Sequence, residues 1–272
     1  METPDHPPRL GFGLVARPDP DPSELGSLGA RLEALGYTEL WANDGRGRAG
    51  LATLRAAAGS SRRLDLCLGV APLSEVSPAQ IAAEVARLEL SPGRLVIGVG
   101  TGSGSSLAMV RDGVAALREL LPGVRLAIAA LGPRMCHLGG EVADVVLLNW
   151  ALPERIAWSR ERICEGAEAS GRPMPRVASY VRVALGSDAP ARLAAEAERY
   201  RARPRSYRRL FAEQAVAAGE PPGIATADAA EVPALLAPYR AALDSCVVRA
   251  LPAESSTEEL LAIAAAAVML PA

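Results

Sequence analysis

The sequence predicts an α/β protein with the architecture of a (β/α)8 TIM barrel. Eight short apolar runs alternate with segments of helical periodicity, and most of the runs are apolar without interruption. Continuous apolar runs are expected of parallel strands that are covered on both faces. The chain of 272 residues is also close to the ~250 residues typical of such barrels. A doubly wound sheet has the same alternation and stays open as the alternative at this point.

The eight apolar runs give the predicted strands. In chain order they are LGFGLVA (10–16), TELWAND (38–44), LDLCLGV (64–70), RLVIGVG (94–100), VRLAIAA (124–130), DVVLLNW (144–150), VASYVRVAL (177–185) and CVVRAL (246–251). Helix starts follow several of them. Asp21-Pro22-Ser23-Glu24 and Ser77-Pro78-Ala79-Gln80 both predict a capping box with proline at the first helical position. Ser256-Thr257-Glu258-Glu259 begins the last predicted helix, with Ser256 as its cap.

The seventh β/α unit is predicted to be elaborated, because the interval from Gly186 to Ser245 is longer than one helix requires. Within it, SYRRLFAEQ predicts a helix and GEPPGIATADAAEVP an irregular connection. No change of composition divides the chain, so we expect residues 1–272 to form one compact barrel domain with shortened loops. Residues 1–9 are predicted to be a flexible leader.

Composition excludes several classes of function. A net charge of -2 and an aromatic content of 4% do not favour a nucleic-acid partner. No apolar run reaches the ~18 residues that span a bilayer, and the proline-rich start is not typical of a signal peptide. The four cysteines form no metal-ligand spacing, so we expect free thiols, a cytoplasmic location and no metal site. The absence of lysine excludes a Walker A loop and a pyridoxal Schiff base.

The fourth strand runs into a glycine-rich loop, RLVIGVGTGSGSS (94–106), which raises the question of a phosphate site. The spacing fails the G-x-G-x-x-G pattern, and the loop lies on the fourth β/α unit rather than the first. Small residues here would let backbone N–H groups approach a phosphate or a ring closely. A flexible turn left by a shortened insertion is the alternative.

Two further strand ends carry candidate chemistry. In ALGPRM (130–135), proline at a strand-to-helix junction leaves the helix N-terminus open to an anion, and Arg134 could add a guanidinium. A short helix with a surface arginine is the alternative. Asp44 follows the second strand and could orient a substrate or cofactor proton, or cap a helix. Arg182, within the seventh strand, is expected to be a buried ion-pair partner at the barrel mouth.

Several segments together resemble the luciferase-like monooxygenase superfamily, with the closest resemblance to its members dependent on coenzyme F420, a 5-deazaflavin. The segments are LEALGYTELWAND, LGVAPLSEVSPAQIAAEVARLELSPGRLVIGVGTG and AALGPRMCHLGGEVADVVLLNW. The resemblance covers about residues 10–185 in order. It implies a (β/α)8 barrel, usually dimeric or larger, that binds F420 or FMN at the carboxyl ends of its strands.

The resemblance also implies site residues. Gly69–Val70 would be a cis peptide behind the cofactor ring, and the segments 100–102 and 132–135 would line its phosphate end. The cofactor-binding residues implied are Asn43, Gly69, Val70, Ala71, Gly100, Thr101, Gly102, Ala130, Leu131, Gly132, Pro133, Arg134 and Met135. Asp44 and Asn149 are the polar candidates for catalysis at the ring.

These observations predict an F420-dependent oxidoreductase that moves a hydride to or from a small organic substrate, and a homodimer. An FMN-dependent monooxygenase on the same scaffold is one alternative. The other is a degenerate barrel acting as an accessory or scaffold protein. Two departures from the family pattern favour that last alternative. Gly45 stands where many members have histidine, and the segment after the fourth strand is short.

Overall fold

The computed structural model describes residues 9–44, 48–59, 61–104, 106–202, 205–214, 221–254 and 256–269. Over these residues the strands are β1 (Arg9–Leu14), β2 (Glu39–Ala42), β3 (Asp65–Pro72), β4 (Leu95–Gly100), β5 (Arg125–Ala129), β6 (Val145–Asn149), β7 (Arg176–Leu185), β8 (Ile224–Thr226) and β9 (Ser245–Ala250). All eight predicted strands are present. Arg9, which we placed at the end of a leader, is the first residue of β1.

Eight of these strands close into a parallel barrel. The order is β6-β5-β4-β3-β2-β1-β9-β7, and β6 pairs with β7 to complete the circle. Helices lie between the strands, so the predicted (β/α)8 barrel is confirmed and the doubly wound sheet is excluded. In such a barrel the carboxyl ends of all the strands meet at one face, here called the barrel mouth.

The helices of the described residues follow the strands in turn. They are α1 (Pro22–Leu25), α2 (Leu28–Ala34), α3 (Gly50–Ala58), α4 (Pro78–Arg87), α5 (Leu107–Leu120), α6 (Pro133–Val142), α7 (Pro153–Ser170), α8 (Ala189–Arg201), α9 (Arg205–Glu213), α10 (Val232–Ala242) and α11 (Thr257–Ala266). The predicted capping box at Ser77 is present with both of its hydrogen bonds. Ser256 caps α11 by accepting from the Glu259 N–H at 3.2 Å. None of the described helices is long and apolar enough to cross a membrane.

The first predicted helix departs from expectation. Asp21 caps α1, but it accepts from the Ser23 N–H at 2.7 Å, and the Glu24 side chain does not return to it. Glu24 instead forms an ion pair with Arg17 at 2.7 Å. The capping box predicted at Asp21 is therefore wrong in its second half, and α1 ends at Leu25 before a new helix begins.

The barrel interior is layered. At the bottom, the amino ends of the strands contribute a charged group around Glu39 and Asp65. Above it lies an apolar interior cluster, made of Trp41, Cys67, Val96, Ala127, Val145, Leu147, Ala178, Tyr180 and Val247. A much larger apolar core packs the outer faces of the strands against the helices. The strands are therefore covered on both faces, which explains their continuous apolar sequences.

The elaborated seventh unit is confirmed and forms a cover over one side of the mouth. It contains α8, α9 as predicted from SYRRLFAEQ, the short strand β8 and α10. The segment predicted to be irregular includes β8, which pairs with the end of β7, so that prediction is wrong for Ile224–Thr226. The unit buries an apolar group that we call the cap cluster, comprising Trp150, Ala184, Ala189, Leu193, Ala197, Leu210, Phe211 and Leu251.

Candidate functional site

The predicted site residues lie along one arc of the barrel mouth. Asn43 and Asp44 follow β2, residues 69–71 lie in β3, and Gly100 ends β4. Residues 130–135 join β5 to α6, and Asn149 ends β6. Because β2, β3, β4, β5 and β6 are neighbours in the barrel, the fold places these distant segments side by side. Gly45, the departure from the family pattern, lies outside the described residues.

The end of β3 is irregular at the position that the resemblance indicates. The Gly69–Val70 peptide is cis, and the pairing of β3 with β4 shifts register between Leu68 and Ala71. The Tyr180 hydroxyl crosses from β7 and donates to the Gly69 carbonyl oxygen at 3.1 Å. Burial raises the pKa of Tyr180 well above its ordinary value, so the hydroxyl keeps the proton that it donates.

The glycines of β4 have a role that the sequence did not indicate. A Cβ at Gly98 would lie 2.4 Å from the Leu68 carbonyl oxygen and 2.7 Å from Cγ1 of Val70. A Cβ at Gly100 would lie 3.2 Å from Cγ2 of Val70. These two glycines therefore make room for the β3 irregularity and for the Val70 side chain. Close approach of a neighbouring strand accounts for glycine at both positions.

The loop after β4 is tied to the loop after β3. The Ser103 N–H donates to Ser74 Oγ at 3.2 Å, and the Leu73 N–H donates to the Gly100 carbonyl at 2.9 Å. Gly102 has a φ of +64°, and a Cβ there would lie 2.3 Å from Ser74 Oγ. Thr101 is half-buried between these contacts. Glycine at 102 is thus explained by the turn and the packing of the two loops.

The segment 130–135 presents an open helix N-terminus. Pro133 is at the first turn of α6, and the N-cap residue, Gly132, has no side chain with which to cap the helix. A Cβ at Gly132 would meet no atom within 4 Å. Arg134 is exposed, and among the described residues it has no ion-pair partner. An uncapped N-terminus beside an unpaired guanidinium is suited to an anion.

The residues around this helix start hold it in place. Ala130 is buried and donates its N–H to the Leu147 carbonyl at 3.0 Å. The Leu131 carbonyl accepts from Arg155 at 2.8 Å, and Met135 packs against the outer core. The backbone of this segment is therefore fixed on both sides of Gly132.

Asn43 and Asp44 are engaged with backbone at the end of β2. Asn43 Oδ1 accepts from the Ala16 N–H at 3.0 Å, and Asp44 Oδ1 accepts from the Gly50 N–H at 3.1 Å. Burial raises the pKa of Asp44 above its ordinary value of 3.8, against the opposing hydrogen bond from Gly50. A carboxyl group with a raised pKa at a barrel mouth can hold or release a proton closer to neutral pH.

Asn149 is held by two partners on the covered side of the mouth. Its Oδ1 accepts from Arg182 Nη1, and its Nδ2 donates to the Tyr207 hydroxyl at 2.9 Å. The side chain therefore joins the barrel to α9. These two hydrogen bonds fix the Asn149 side chain, and its contact with a cofactor ring remains a prediction.

Two arginines at the mouth were not identified as a pair from the sequence. Arg182 on β7 and Arg249 on β9 are 1% and 6% exposed, and they are register partners. Arg182 was expected to be a buried ion-pair partner; it is buried, but no carboxylate of the described residues lies within 4.0 Å of it. An arginine within each of two apolar strands, VRVAL and VVRAL, is the signal that could have found them.

Two open grooves lie on the outer surface of the barrel. One of about 400 Å³ runs beside α6 between Arg111, Arg134 and Arg162. Another of about 580 Å³ lies between α4 and α5, beside Leu73 and Met109. The first begins at the open end of α6, and the second contains none of the predicted site residues.

Known proteins resemble this chain in both sequence and fold. It is 25% identical over 218 residues to a 5,10-methylenetetrahydromethanopterin reductase of Methanolobus tindarius, covering 66% of this chain and 67% of the relative. It is 26% identical to the protein of that name from Archaeoglobus fulgidus, where 60% of each chain is covered. The alignments thus span about two-thirds or less of these relatives.

Solved structures share the fold over nearly the whole chain. A coenzyme F420 dependent tetrahydromethanopterin reductase from Methanopyrus kandleri superposes with a TM-score of 0.70 at 18% identity, over 96% of this chain and 98% of that one. An F420-dependent secondary alcohol dehydrogenase in complex with an F420-acetone adduct gives 0.72 at 16% identity, over 95% and 97%. A monooxygenase, RslO1 from Streptomyces bottropensis, gives 0.63 at 18% identity, over 96% and 97%.

A family model agrees with these likenesses. The model described as luciferase-like monooxygenase matches residues 6–120 and 110–262, which is most of the chain. This extent, together with the closed barrel and the cis peptide in β3, leaves one assignment. The protein belongs to the luciferase-like monooxygenase family and is an oxidoreductase by that membership.

Proposed function

We propose that this protein binds coenzyme F420 at the barrel mouth and transfers a hydride between it and a small organic substrate. The proposal is carried by the proximity of two features: the N-terminus of α6, which follows β5, and the small and apolar residues Gly100 on β4 and Val70 on β3. The N-terminus of α6, with Arg134, for which the described residues offer no ion-pair partner, lies one strand away from Gly100 and two from Val70. Together they offer an anion site beside an apolar support.

The residues present fit such a cofactor. The backbone N–H groups of Gly132 and Arg134, with the Arg134 guanidinium, would hold its phosphate, and Pro133, which has no N–H, would fix the first turn of α6. Val70 would support the ring, since Gly98 and Gly100 leave room for its side chain. When bound, F420 supplies the carbon centre that gives or accepts the hydride, and the protein supplies orientation and electrostatics.

Protein side chains would control the proton and the geometry. Asp44, whose pKa is raised by burial, would hold or move a proton at the ring end of the site. Tyr180 fixes the Gly69 carbonyl, and Asn149 fixes the cover formed by α9. The apolar cap cluster excludes water from the side of the mouth under α8 and α9.

The choice of F420 over FMN is supported by the relatives. Both curated proteins are named as methylenetetrahydromethanopterin reductases, and a matched structure of a related reductase is described as coenzyme F420 dependent. A monooxygenase using FMN is the other outcome of the binding test, because the family and the fold matches include monooxygenases.

The test is binding of purified protein to each cofactor, followed by fluorescence, with Gly132→Asp and Gly132→Asn as matched variants. Both side chains enter open space and both can cap α6, so only the carboxylate charge separates them. We expect F420 to bind, and the aspartate variant to bind it at least about tenfold more weakly than the asparagine variant, as expected for charge repulsion of about 1.4 kcal/mol.

Three outcomes would contradict parts of this proposal. Binding of FMN but not F420 assigns the monooxygenase alternative. Binding of neither cofactor at high micromolar concentration leaves the scaffold alternative. Equal affinity of the two Gly132 variants for F420 would contradict the placement of the cofactor phosphate at the N-terminus of α6.

The proposal also includes one domain, a homodimer and a cytoplasmic location. The location is supported by four free cysteines, of which Cys67, Cys136 and Cys246 are buried. Light scattering after size-exclusion chromatography measures the oligomer, and a monomer mass would contradict the homodimer.

A further inference from the structure

Two buried arginines face each other at the barrel mouth. Arg182 and Arg249 are register partners on the paired strands β7 and β9, near the carboxyl ends of both. Residues at alternate positions of β7, Ala178 and Tyr180, belong to the interior cluster, as does Val247 of β9. The period of two in a strand therefore directs both arginines into the barrel.

The charge of this pair is not balanced by a carboxylate. Within the described residues, neither guanidinium has an acidic group within 4.0 Å. Glu196 contributes a more distant attraction to Arg182, but its carboxylate forms an ion pair with Arg199. Burial, and the neighbouring charge of Arg249, lower the pKa of Arg182.

Neutral groups satisfy only some of the hydrogen-bond donors of Arg182 and Arg249. Arg182 donates to Asn149 and lies 3.9 Å from the ring centre of Trp150 and 5.1 Å from that of Tyr200. Its Nε is buried and finds no hydrogen-bond acceptor in the part of the chain that the structure describes. Arg249 donates from Nη1 to the Gly13 carbonyl at 3.2 Å. These contacts fix the side chains without neutralising them.

Two like charges in a buried position are unfavourable unless an opposite charge joins them. Arginine presents a planar fork of donors that matches the two oxygens of a carboxylate or phosphate group. We propose that Arg182 and Arg249 form a binding site for an oxyanion, a carboxylate or phosphate, carried by the substrate.

The position of the pair suits a substrate rather than the cofactor. Arg249 and Tyr180 both pack over Gly13, with atoms 3.1 Å from the position of its Cβ, and Tyr180 reaches the Gly69 carbonyl. The pair is thus one side chain away from the β3 irregularity. It lies on β7 and β9, whereas the anion site at α6 follows β5. The substrate class is therefore small organic acids or phosphorylated compounds, an assignment that rests on the proposed function.

The oxyanion site itself is tested on the full-length protein without cofactor. Acetate and inorganic phosphate are titrated, and binding is followed by calorimetry at constant ionic strength. Arg182→Gln and Arg249→Gln remove one charge each, and Arg182→Lys keeps it. Arg134→Gln removes the guanidinium at α6, and Arg87→Gln is the surface control, since Arg87 is exposed and forms an ion pair with Glu84.

We expect at least one of the two anions to bind, with a Kd raised at least tenfold in both glutamine variants of the pair. Arg182→Lys retains part of the affinity, and Arg87→Gln and Arg134→Gln leave the binding at this site unchanged. Circular dichroism establishes that each variant is folded. If a glutamine variant fails to fold, Arg182→Lys and the other single variant still decide the question.

The inference is overturned if neither anion binds, or if binding depends on Arg134 and not on the pair. Its assignment to the substrate is tested by repeating the titration with saturating F420. Retained binding supports a substrate site, and loss of binding assigns the oxyanion to the cofactor and overturns that assignment. Failure of F420 to bind contradicts the proposed function alone, because the titration without cofactor does not depend on it.

Discussion

The two ends of the barrel differ in whether their buried charged groups have partners of opposite charge. At the bottom, fully buried Glu39 faces Arg9 at 3.0 Å and Arg176 at 2.6 Å. Asp65 faces Arg9 at 2.5 Å and Arg125 at 2.7 Å. At the mouth, Arg182 and Arg249 are buried with no such partners among the described residues.

The charged groups at the bottom of the barrel thus form one network of ion pairs and hydrogen bonds. Trp41 Nε1 donates to Glu39 Oε2 at 2.8 Å, and Ser245 donates to the same carboxylate. Burial alone would raise the pKa of Asp65, but the hydrogen bond from Arg125 and the charges of Arg125, Arg9 and Arg176 together lower it. Removing one partner from the buried pairs at the amino ends would leave an uncompensated charge and destabilise the fold, whereas a charge without a partner at the carboxyl ends is available to a ligand.

The largest expected effect tests the bottom network. Glu39→Gln leaves Arg9 and Arg176 near a neutral amide, so the free energy of unfolding should fall by about 3 kcal/mol. Urea denaturation measures the change. Glu84→Gln is the control, because the Glu84–Arg87 pair is exposed and its loss should lower the free energy of unfolding much less. Equal losses in both variants would refute the contrast between the two kinds of ion pair.

A smaller effect tests the support of the β3 irregularity at the mouth. Tyr180→Phe leaves the Gly69 carbonyl without its hydroxyl donor, so the free energy of unfolding should fall by about 1 kcal/mol. Tyr37→Phe is the matched control, since the Tyr37 hydroxyl donates to the Ala264 carbonyl at 2.9 Å, in the outer core.

The two tyrosine variants should lose similar stability, but only Tyr180→Phe should weaken cofactor binding in a fluorescence titration. If Tyr180→Phe bound the cofactor with unchanged affinity, the Gly69 carbonyl would not be part of the cofactor site.

The smallest effect concerns Asp44 and its dependence on pH. Because the folded protein holds the Asp44 proton more tightly than the unfolded chain, the carboxyl favours folding most below pH 3.8. That contribution is lost as the pH rises through the raised pKa. Asp44→Asn should therefore match the parent protein near pH 3.5 and be slightly more stable at pH 7, measured by urea denaturation.

Asp21 gives the opposite sign and serves as the comparison. Hydrogen bonds from Ser23 lower the pKa of Asp21, so its contribution is present above pH 3.8 and lost as the pH falls. Asp21→Asn should be slightly less stable than the parent protein at pH 7. A stability loss at pH 7 in Asp44→Asn would contradict the raised pKa.

The sequence predicted the barrel because strands buried on both faces leave continuous apolar runs. RLVIGVG became β4, and VASYVRVAL became β7 almost residue for residue. It missed β8 because three residues that add only to the end of β7 carry no periodicity of their own.

The site was harder to predict for a physical reason. The segment 69–71 was found by resemblance and the segment 132–135 first by its proline at a strand-to-helix junction, but the supports of both come from elsewhere in the chain. Tyr180 looks like any core aromatic until the barrel closes and brings it to Gly69. Likewise, the proximity of Arg182 and Arg249 depends on the register between two strands that are distant in sequence.

The seventh unit has a consequence for how this enzyme could be altered. The proposed cofactor residues lie between β2 and α6, whereas the cover over the oxyanion pair comes from α8 and α9. Asn149 at the end of β6 and Tyr207 on α9 form a direct hydrogen bond between the barrel and this cover. A redesigned segment 189–213 that keeps Tyr207 should therefore change which compounds react and leave the affinity for the cofactor intact.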